Sequence, residues 1–252
     1  MAQRQNTLPP FAFAVLVAAI AFLPSCESKR APAATEPSAS NPAKASPILA
    51  PEDEVHAQYA GSASCKECHE TAYAGWERSN HGLAEREYRE DMDEKAFSPK
   101  RSIVHGKQTS EAFLDAEGLA KILTLGLDNQ RHAYPVVRVI GNDPLRQFLV
   151  PAPGGRLQTC DISYDPHQNE WFDVYGDEER KPGDWGAWTG QGMNWNSMCA
   201  ACHNTRLRKN YDPQTNSYHT TMAEMTVGCE ACHGPMKDHV EWQKKPPIGY
   251  DP

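Results

Sequence analysis

The chain has 252 residues, of which 39% are hydrophobic, and its formal net charge is −8. This length allows one or two domains, and the excess of acidic side chains argues against nucleic acid as a partner. The eight cysteines require a specific explanation, because disulfides, a metal site or a covalently attached cofactor would each use them.

The N-terminal segment has the pattern of an export signal. Arg4 precedes an unbroken apolar run of 13 residues, Phe11 to Leu23, which suits a signal peptide and is short for a membrane span. The run ends in Leu-Pro-Ser-Cys26, which resembles a bacterial lipobox. We therefore predict a lipoprotein signal over residues 1–25, with lipidation of Cys26. An ordinary secretory signal cut nearby is the alternative, and both place the mature chain outside the cytoplasm.

Residues 26–58 are predicted to be a disordered tether. The part from Lys29 to Pro51 is rich in Ala, Pro and Ser and shows no apolar periodicity. A flexible chain of this length reaches about 25–30 Å. Glu27 after the lipidated cysteine resembles the pattern of lipoproteins sorted to the outer membrane. The folded part, residues 59–252, is thus expected on the periplasmic side of the cell envelope, as an outer-membrane lipoprotein held by its N-terminal lipid anchor.

The folded part begins with a Cys-x-x-Cys-His motif, Cys65-Lys-Glu-Cys68-His69. Two thiols at this spacing can form thioethers with both vinyl groups of one haem, and the adjacent histidine can bind the iron. Good helix formers follow, so a helix is predicted over Glu70–Arg89. His81 lies in this segment and is a candidate second axial ligand.

Strand patterns dominate the middle of the chain. Glu111 to Leu125 favours helix by composition but carries Gly118 in a turn-like setting, so helix and hairpin both stay open on local grounds. From Tyr134 to Ile140 the residues are β-branched, and turn signals recur after it. The pattern predicts an antiparallel meander of three to five strands, inserted at about residues 100–180.

One cysteine falls inside this β region. Cys160 alternates with Ile162 and Tyr164, so the three side chains are predicted to share one face of a strand. A free cysteine on such a face behaves as a small buried hydrophobe. A reactive or intermolecular thiol is the alternative.

Two more copies of the motif lie close together near the end of the chain, at a spacing of 30 residues. Three copies in an exported chain predict three covalently attached haem c groups. The predicted attachment residues are Cys65, Cys68, Cys199, Cys202, Cys229 and Cys232. The predicted proximal iron ligands are His69, His203 and His233. The last two motifs are expected to form a compact two-haem unit, in which His239 serves the neighbouring haem.

Zinc and disulfides are the alternative uses of these cysteines. The second and third Cys-x-x-Cys pairs have the spacing of a zinc ribbon, and an even cysteine count is typical of exported disulfide proteins. Neither alternative explains why a histidine follows the cysteine pair in all three copies.

The chain also resembles a known family. The likeness lies in Gly61-x-x-x-Cys65-x-x-Cys68-His69, Trp76-x-x-Ser79-x-His81, Asn142-Asp-Pro-Leu-Arg-Gln-Phe-Leu-Val150, Gly154-Gly-Arg-Leu-Gln158, Trp188-Thr-Gly, Asn194-Trp-Asn-x-Met-Cys-Ala-x-Cys-His203-Asn-Thr-x-Leu-Arg-Lys-Asn-Tyr-Asp212 and Gly228-Cys-Glu-Ala-Cys-His-Gly-Pro235 with His239. These stretches resemble the periplasmic multihaem cytochromes c related to the tetrahaem cytochrome of ammonia oxidisers. They are especially similar to a branch often fused to tetratricopeptide repeats.

The resemblance implies further details. His81 and His239 fall where such proteins carry distal ligands, and His105 is the third choice, although Lys107-Gln108 departs from the pattern after it. The implied fold class is α+β, a loop-rich multihaem cytochrome with short helices around the haems and an antiparallel β-meander insert. The likeness favours a hairpin at Glu111–Leu125. Relatives usually continue into further Cys-x-x-Cys-His motifs. The likeness to the branch fused to tetratricopeptide repeats implies a C-terminal repeat region as a further partner segment.

Electron transfer is the predicted function, with redox proteins as partners. It follows from three haem motifs, ample histidine and a predicted tether, in a chain without a hydrolytic constellation. The alternative is an enzyme that reduces or oxidises a small nitrogen or sulfur compound at one haem with an open coordination position. Methionine ligation is a smaller alternative, which would set a higher potential than bis-histidine ligation.

Overall fold

The structure is a computed structural model that describes residues 50–176, 178–246 and 249. The predicted signal peptide, Cys26 and most of the predicted tether lie outside the described residues. Within the tether segment, residues 52–56 form a short helix, whose Glu52 carboxylate pairs with Arg208 at 3.0 Å. Among the described residues, no helix combines the length and the apolar character needed to cross a membrane.

Short helices flank the haem motifs. The helices are α1 (Glu52–His56), α2 (Glu70–Glu77), α3 (Glu90–Phe97), α4 (Trp195–Met198), α5 (Ala200–His203), α6 (Cys229–His233) and α7 (Lys237–Lys244). Single 3-10 turns form at Ser62–Cys65 and Gln191–Met193.

In the part of the chain that the structure describes, the strands fall into two four-stranded antiparallel sheets and two antiparallel pairs. The strands are β1 (Glu85–Glu87), β2 (Arg101–His105), β3 (Gln108–Leu114), β4 (Ala120–Leu125), β5 (Arg131–Pro135), β6 (Arg138–Ile140), β7 (Gln147–Ala152), β8 (Arg156–Thr159), β9 (Ile162–Asp165), β10 (Glu170–Asp173), β11 (Tyr211–Asp212) and β12 (Ser217–Tyr218). One sheet has the order β1-β6-β7-β8 and the other β2-β3-β4-β5, with β9 paired to β10 and β11 to β12. Short helices around antiparallel sheets confirm the α+β fold class.

The hairpin expected at Glu111–Leu125 is present as β3 and β4. Between these strands, the Asp115 carboxylate accepts hydrogen bonds from the backbone amides of Glu117 (3.1 Å) and Leu119 (2.8 Å). Gly118 has a φ of +79°, which favours glycine. Turn chemistry therefore decides against the helix that the composition allowed.

Two predicted elements are shorter in the structure. The helix expected over Glu70–Arg89 ends at Glu77, and the chain then turns so tightly that a Cβ on Gly82 would lie 2.3 Å from the Trp76 carbonyl oxygen. The strand expected over Tyr134–Ile140 divides between β5 and β6 of different sheets. Pro135 ends β5, since proline has no amide to continue the ladder.

The β region is also larger than predicted. It contains nine strands between Arg101 and Asp173, where three to five were expected. Alternating hydrophobicity identifies strands but does not show where the chain leaves one sheet and joins another. The expectation was therefore wrong in strand number.

The main core lies between these sheets and α3. Phe97 packs edge-on against Phe148 and Trp171, with ring centroids 4.8 and 5.6 Å apart. Cys160 is 1% exposed and lies in the same core as Ile162, which confirms the buried thiol. Burial raises its pKa and keeps the thiol protonated.

A smaller core supports the second haem motif. It contains the buried Ile140, Leu149, Trp195 and Ala200, and the partly buried Cys199 packs against it. This cluster connects the sheet of β6 and β7 to α4 and α5, and so anchors one haem motif directly on the β region.

Candidate haem site

Each haem motif lies within or next to short helical segments. In α6, Cys229, Cys232 and His233 occupy little more than one turn, so the two cysteines three positions apart lie on the same side. All seven cysteines among the described residues are free thiols, which leaves each motif pair available for thioether bonds.

A cavity of about 830 Å³ lies between the first and third motifs. Its volume is in the upper part of the range of about 300–1,000 Å³ for cofactor pockets. The cysteines and histidines that line it are Cys65, Cys68, His69, His81, Cys229, Cys232, His233 and His239. The structure therefore brings two complete haem motifs together with His81 and His239, two of the three histidines predicted as distal ligands.

The remaining wall of the cavity suits an apolar cofactor. Apolar side chains contribute to it from α2, from α7 and from the residues just before α6 and α7: Ala72, Trp76, Val227, Met236 and Val240. Haem c presents a large apolar ring, and a largely apolar wall with a few histidines is the environment in which such a cofactor binds. The residues present thus fit haem at both motifs.

The shared cavity pairs two motifs that are far apart in sequence. We expected the second and third motifs to form a two-haem unit, because they are neighbours in sequence. In the structure, the first and third motifs share the cavity, and among its described lining residues there are none from Cys199 to His203. The first and third motifs, which are distant in sequence, are thus neighbours in space. The two-haem unit expected for the second and third motifs stays a prediction.

Direct contacts join the first and third motifs. The Ser62 hydroxyl accepts a hydrogen bond from the Cys229 backbone amide at 2.8 Å. Burial raises the pKa of the Cys65 thiol, and the nearby Cys229 thiol raises it further. The first cysteines of the two motifs are therefore neighbours.

The second motif has a different environment. The Nδ1 of His203 lies 2.8 Å from the Ala84 carbonyl oxygen, which can only accept a hydrogen bond. Nδ1 therefore carries the proton and Nε2 stays available for iron, the arrangement found in metal-binding histidines. Burial raises the pKa of the Cys199 thiol to about 11, with the Glu85 carboxylate adding to the rise.

Glu85 holds the surroundings of the second motif in place. Its carboxylate is 1% exposed and accepts hydrogen bonds from Trp195 Nε1 (2.8 Å) and Asn204 Nδ2 (2.6 Å). It also pairs with Arg138 at 2.9 Å. Because Glu85 follows Ala84, these bonds fix the carbonyl that orients His203. No local sequence pattern indicates this role, since a charged residue in a short strand is ordinarily exposed.

His105 lies away from these sites, at the end of β2. Its Nε2 donates to the Ser110 hydroxyl (2.6 Å), which in turn donates to Thr124 Oγ1 (2.7 Å). Burial lowers the pKa of His105. Among the described residues that line the cavity, His105 does not appear. Its role as a distal ligand stays a prediction.

The chemistry of these sites defines a class of protein. Cysteine pairs that form thioethers beside an iron-binding histidine attach haem c, and several such sites in one chain are the mark of a multihaem c-type cytochrome. The three Cys-x-x-Cys-His motifs of this chain are the covalent haem c attachment sites that this class has.

Comparison with known proteins agrees with this class. The chain matches the family model for cytochrome c554 and c-prime over residues 64–115 and 177–234. These two segments contain all three haem motifs, and the unmatched residues between them carry most of the strands. No curated protein matches the chain.

One solved structure is similar to part of the chain. It is the outer cell wall cytochrome OcwA, at 21% sequence identity and a TM-score of 0.46, covering 77% of this chain and 35% of that one. The chain thus spans about a third of the length of that cytochrome.

Proposed function

We propose that this protein is an exported, membrane-tethered trihaem cytochrome that passes electrons between redox partner proteins. The observation that supports this most strongly is that two complete haem motifs and two further histidines line one cavity. The second motif would carry the third haem, at a separate place on the β region.

The chain's own residues would position the haems. The cysteines of each motif would hold the porphyrin edge through thioethers, and His69, His203 and His233 would bind iron from one side. His81 and His239 are proposed to complete the coordination of the haem pair. Bound haem supplies the reversible ferric–ferrous couple, and bis-histidine ligation favours electron transfer over chemistry on a small molecule.

Partner proteins would meet the haems where their edges approach the surface. Cys68, Cys202 and Cys232 are exposed, so one side of each haem attachment faces outward. The proposed location is the periplasmic side of the outer membrane, and it rests on the lipobox-like sequence that ends at Cys26. The proposed C-terminal repeat region, a further site for partners, rests on the family resemblance.

Substitution of the proposed distal ligands tests this function. His81→Ala and His239→Ala should each convert one haem of the pair from low spin to high spin, because removal of an axial imidazole weakens the ligand field at that iron. The visible spectrum of the oxidised protein would report the change, and the number of haems per chain should stay the same.

His167→Ala is the matched control for these variants. His167 is exposed and hydrogen bonds to Asp143 at 2.7 Å, outside the cavity. Its loss should leave the spectrum unchanged. A strong high-spin signal in the unmodified protein, together with turnover of a small nitrogen or sulfur compound, would contradict the proposal and favour an enzyme.

A further inference from the structure

A buried carboxylate inside the third motif reaches across to the first. Glu230, the residue after Cys229, is 2% exposed. Its Oε1 accepts hydrogen bonds from the backbone amides of Ala60 (2.9 Å) and Met236 (2.7 Å), and its Oε2 accepts one from Gly61 (2.7 Å). Ionised acceptors make the stronger hydrogen bonds of proteins, and this carboxylate has three backbone donors. The first motif's lead-in is therefore tied to α6.

A second carboxylate extends the same junction. Glu224 Oε2 accepts hydrogen bonds from the Ser62 amide (3.1 Å) and hydroxyl (2.7 Å), while that hydroxyl accepts from the Cys229 amide. A Cβ on Gly228 would lie 2.1 Å from Glu224 Oε2, so the backbone comes this close only at glycine. We call Ser62, Glu224 and Glu230 the carboxylate bracket.

The bracket acts on the spacing between the two attachment points. It holds three consecutive residues, Ala60 to Ser62, just before the first cysteine of one motif. The carboxylates that bind these amides belong to Glu230, inside the third motif, and Glu224, just before it. These hydrogen bonds therefore fix Cys65 and Cys229 relative to each other. The distance between two haems bound to these cysteines would follow from that arrangement.

Haem attachment alone does not need a buried acid within the motif. Glu67 lies within the first motif, yet its side chain is 76% exposed and pairs only weakly with Lys244, at 3.6 Å. The two motifs thus contain chemically identical residues in opposite environments. Of these two acids, only the buried Glu230 makes contacts between the two motifs. Its role is therefore to position the haem pair, because haem attachment at the first motif does not use a buried acid.

We propose that Glu230 and Ser62 are positioning residues for electron exchange between the haems of the first and third motifs. Each exchange would oxidise one iron and reduce the other by one electron, with no further reactant. Its rate would depend steeply on the separation that the bracket sets. This inference rests on the proposed function, since it requires haem at both motifs.

The test compares Glu230→Gln, Glu230→Asp and the control Glu67→Gln in the full exported chain. Intact mass gives the number of covalent haems, and low-temperature electron paramagnetic resonance of the oxidised protein reports magnetic coupling between neighbouring ferric haems. Glutamine would turn an amide N–H₂ toward a backbone donor, and aspartate keeps the charge but is one methylene shorter. Both should retain every haem and lose the coupled signal in favour of isolated low-spin signals, while Glu67→Gln matches the unmodified protein.

The outcomes separate the two proposals. Full haem content with unchanged coupling in both Glu230 variants would overturn the positioning role. Lost coupling with glutamine alone would also overturn it, because charge rather than placement would then be the cause. Missing haem or no coupling in the unmodified protein would instead overturn the proposed haem pair. If the Glu230 variants do not fold, Ser62→Ala decides, with reduced coupling expected and unchanged coupling contradictory.

Discussion

Replacing Cys65 and Cys68 with alanine should give a protein with one covalent haem fewer and no magnetic coupling at the third motif. These residues share one cavity with Cys229 and Cys232, so removal of the first haem leaves its partner without a neighbour. Intact mass and the optical haem content would show the missing haem. Electron paramagnetic resonance of the oxidised protein would show isolated signals in place of a coupled one.

Two further variants distinguish this arrangement from the one that the sequence suggests. Cys199→Ala combined with Cys202→Ala should also remove one haem but preserve the coupled pair, because the second motif lies outside the cavity. Cys160→Ala should remove none, since that thiol is buried in the main core. Coupling that disappears on loss of the second motif would contradict the pairing of the first and third.

Removing the Asp93 carboxylate should lower the free energy of unfolding by about 3–5 kcal/mol, the usual cost of breaking a buried ion pair. Asp93 is fully buried and accepts hydrogen bonds from Arg86 Nη2 (2.8 Å), Arg146 Nη1 (3.1 Å) and the Arg89 amide (3.0 Å). Asp93→Ala would leave two arginines without their shared anion. Denaturant unfolding followed by circular dichroism would measure the loss.

A nearby aspartate provides the control for this prediction. Asp91 belongs to the same helix α3 and pairs with Arg89, but its side chain is 65% exposed. Exposed ion pairs are screened by solvent and contribute little. Asp91→Ala should leave the unfolding midpoint unchanged. Equal losses in the two variants would show that burial of the Asp93 network is not what stabilises the fold.

The haem motifs and the buried cysteine could be predicted because each depends on local sequence. Two cysteines and a histidine at this fixed spacing indicate haem attachment whatever the surrounding fold. The burial of Cys160 follows from the alternation of side chains along its own strand. The hairpin at Gly118 was likewise open to prediction through turn residues and family likeness. These features need no knowledge of distant contacts.

The motif pairing and the carboxylate bracket depend on contacts between distant segments. Glu230 bonds to Gly61 across 169 positions of the chain, and no local pattern marks either residue for that contact. The division between β5 and β6 is similar, because joining a second sheet depends on which surfaces remain to be covered. Tertiary packing decides such features, and they cannot be predicted from local patterns in a single sequence.

A reductive titration of the unmodified protein, followed at the haem absorption bands, should show reversible uptake of three electrons per chain, one for each haem motif. Two of these should titrate as an interacting pair and the third independently. A chain that takes up fewer electrons, or in which all the haems titrate independently, would contradict a trihaem cytochrome with a haem pair at its first and third motifs.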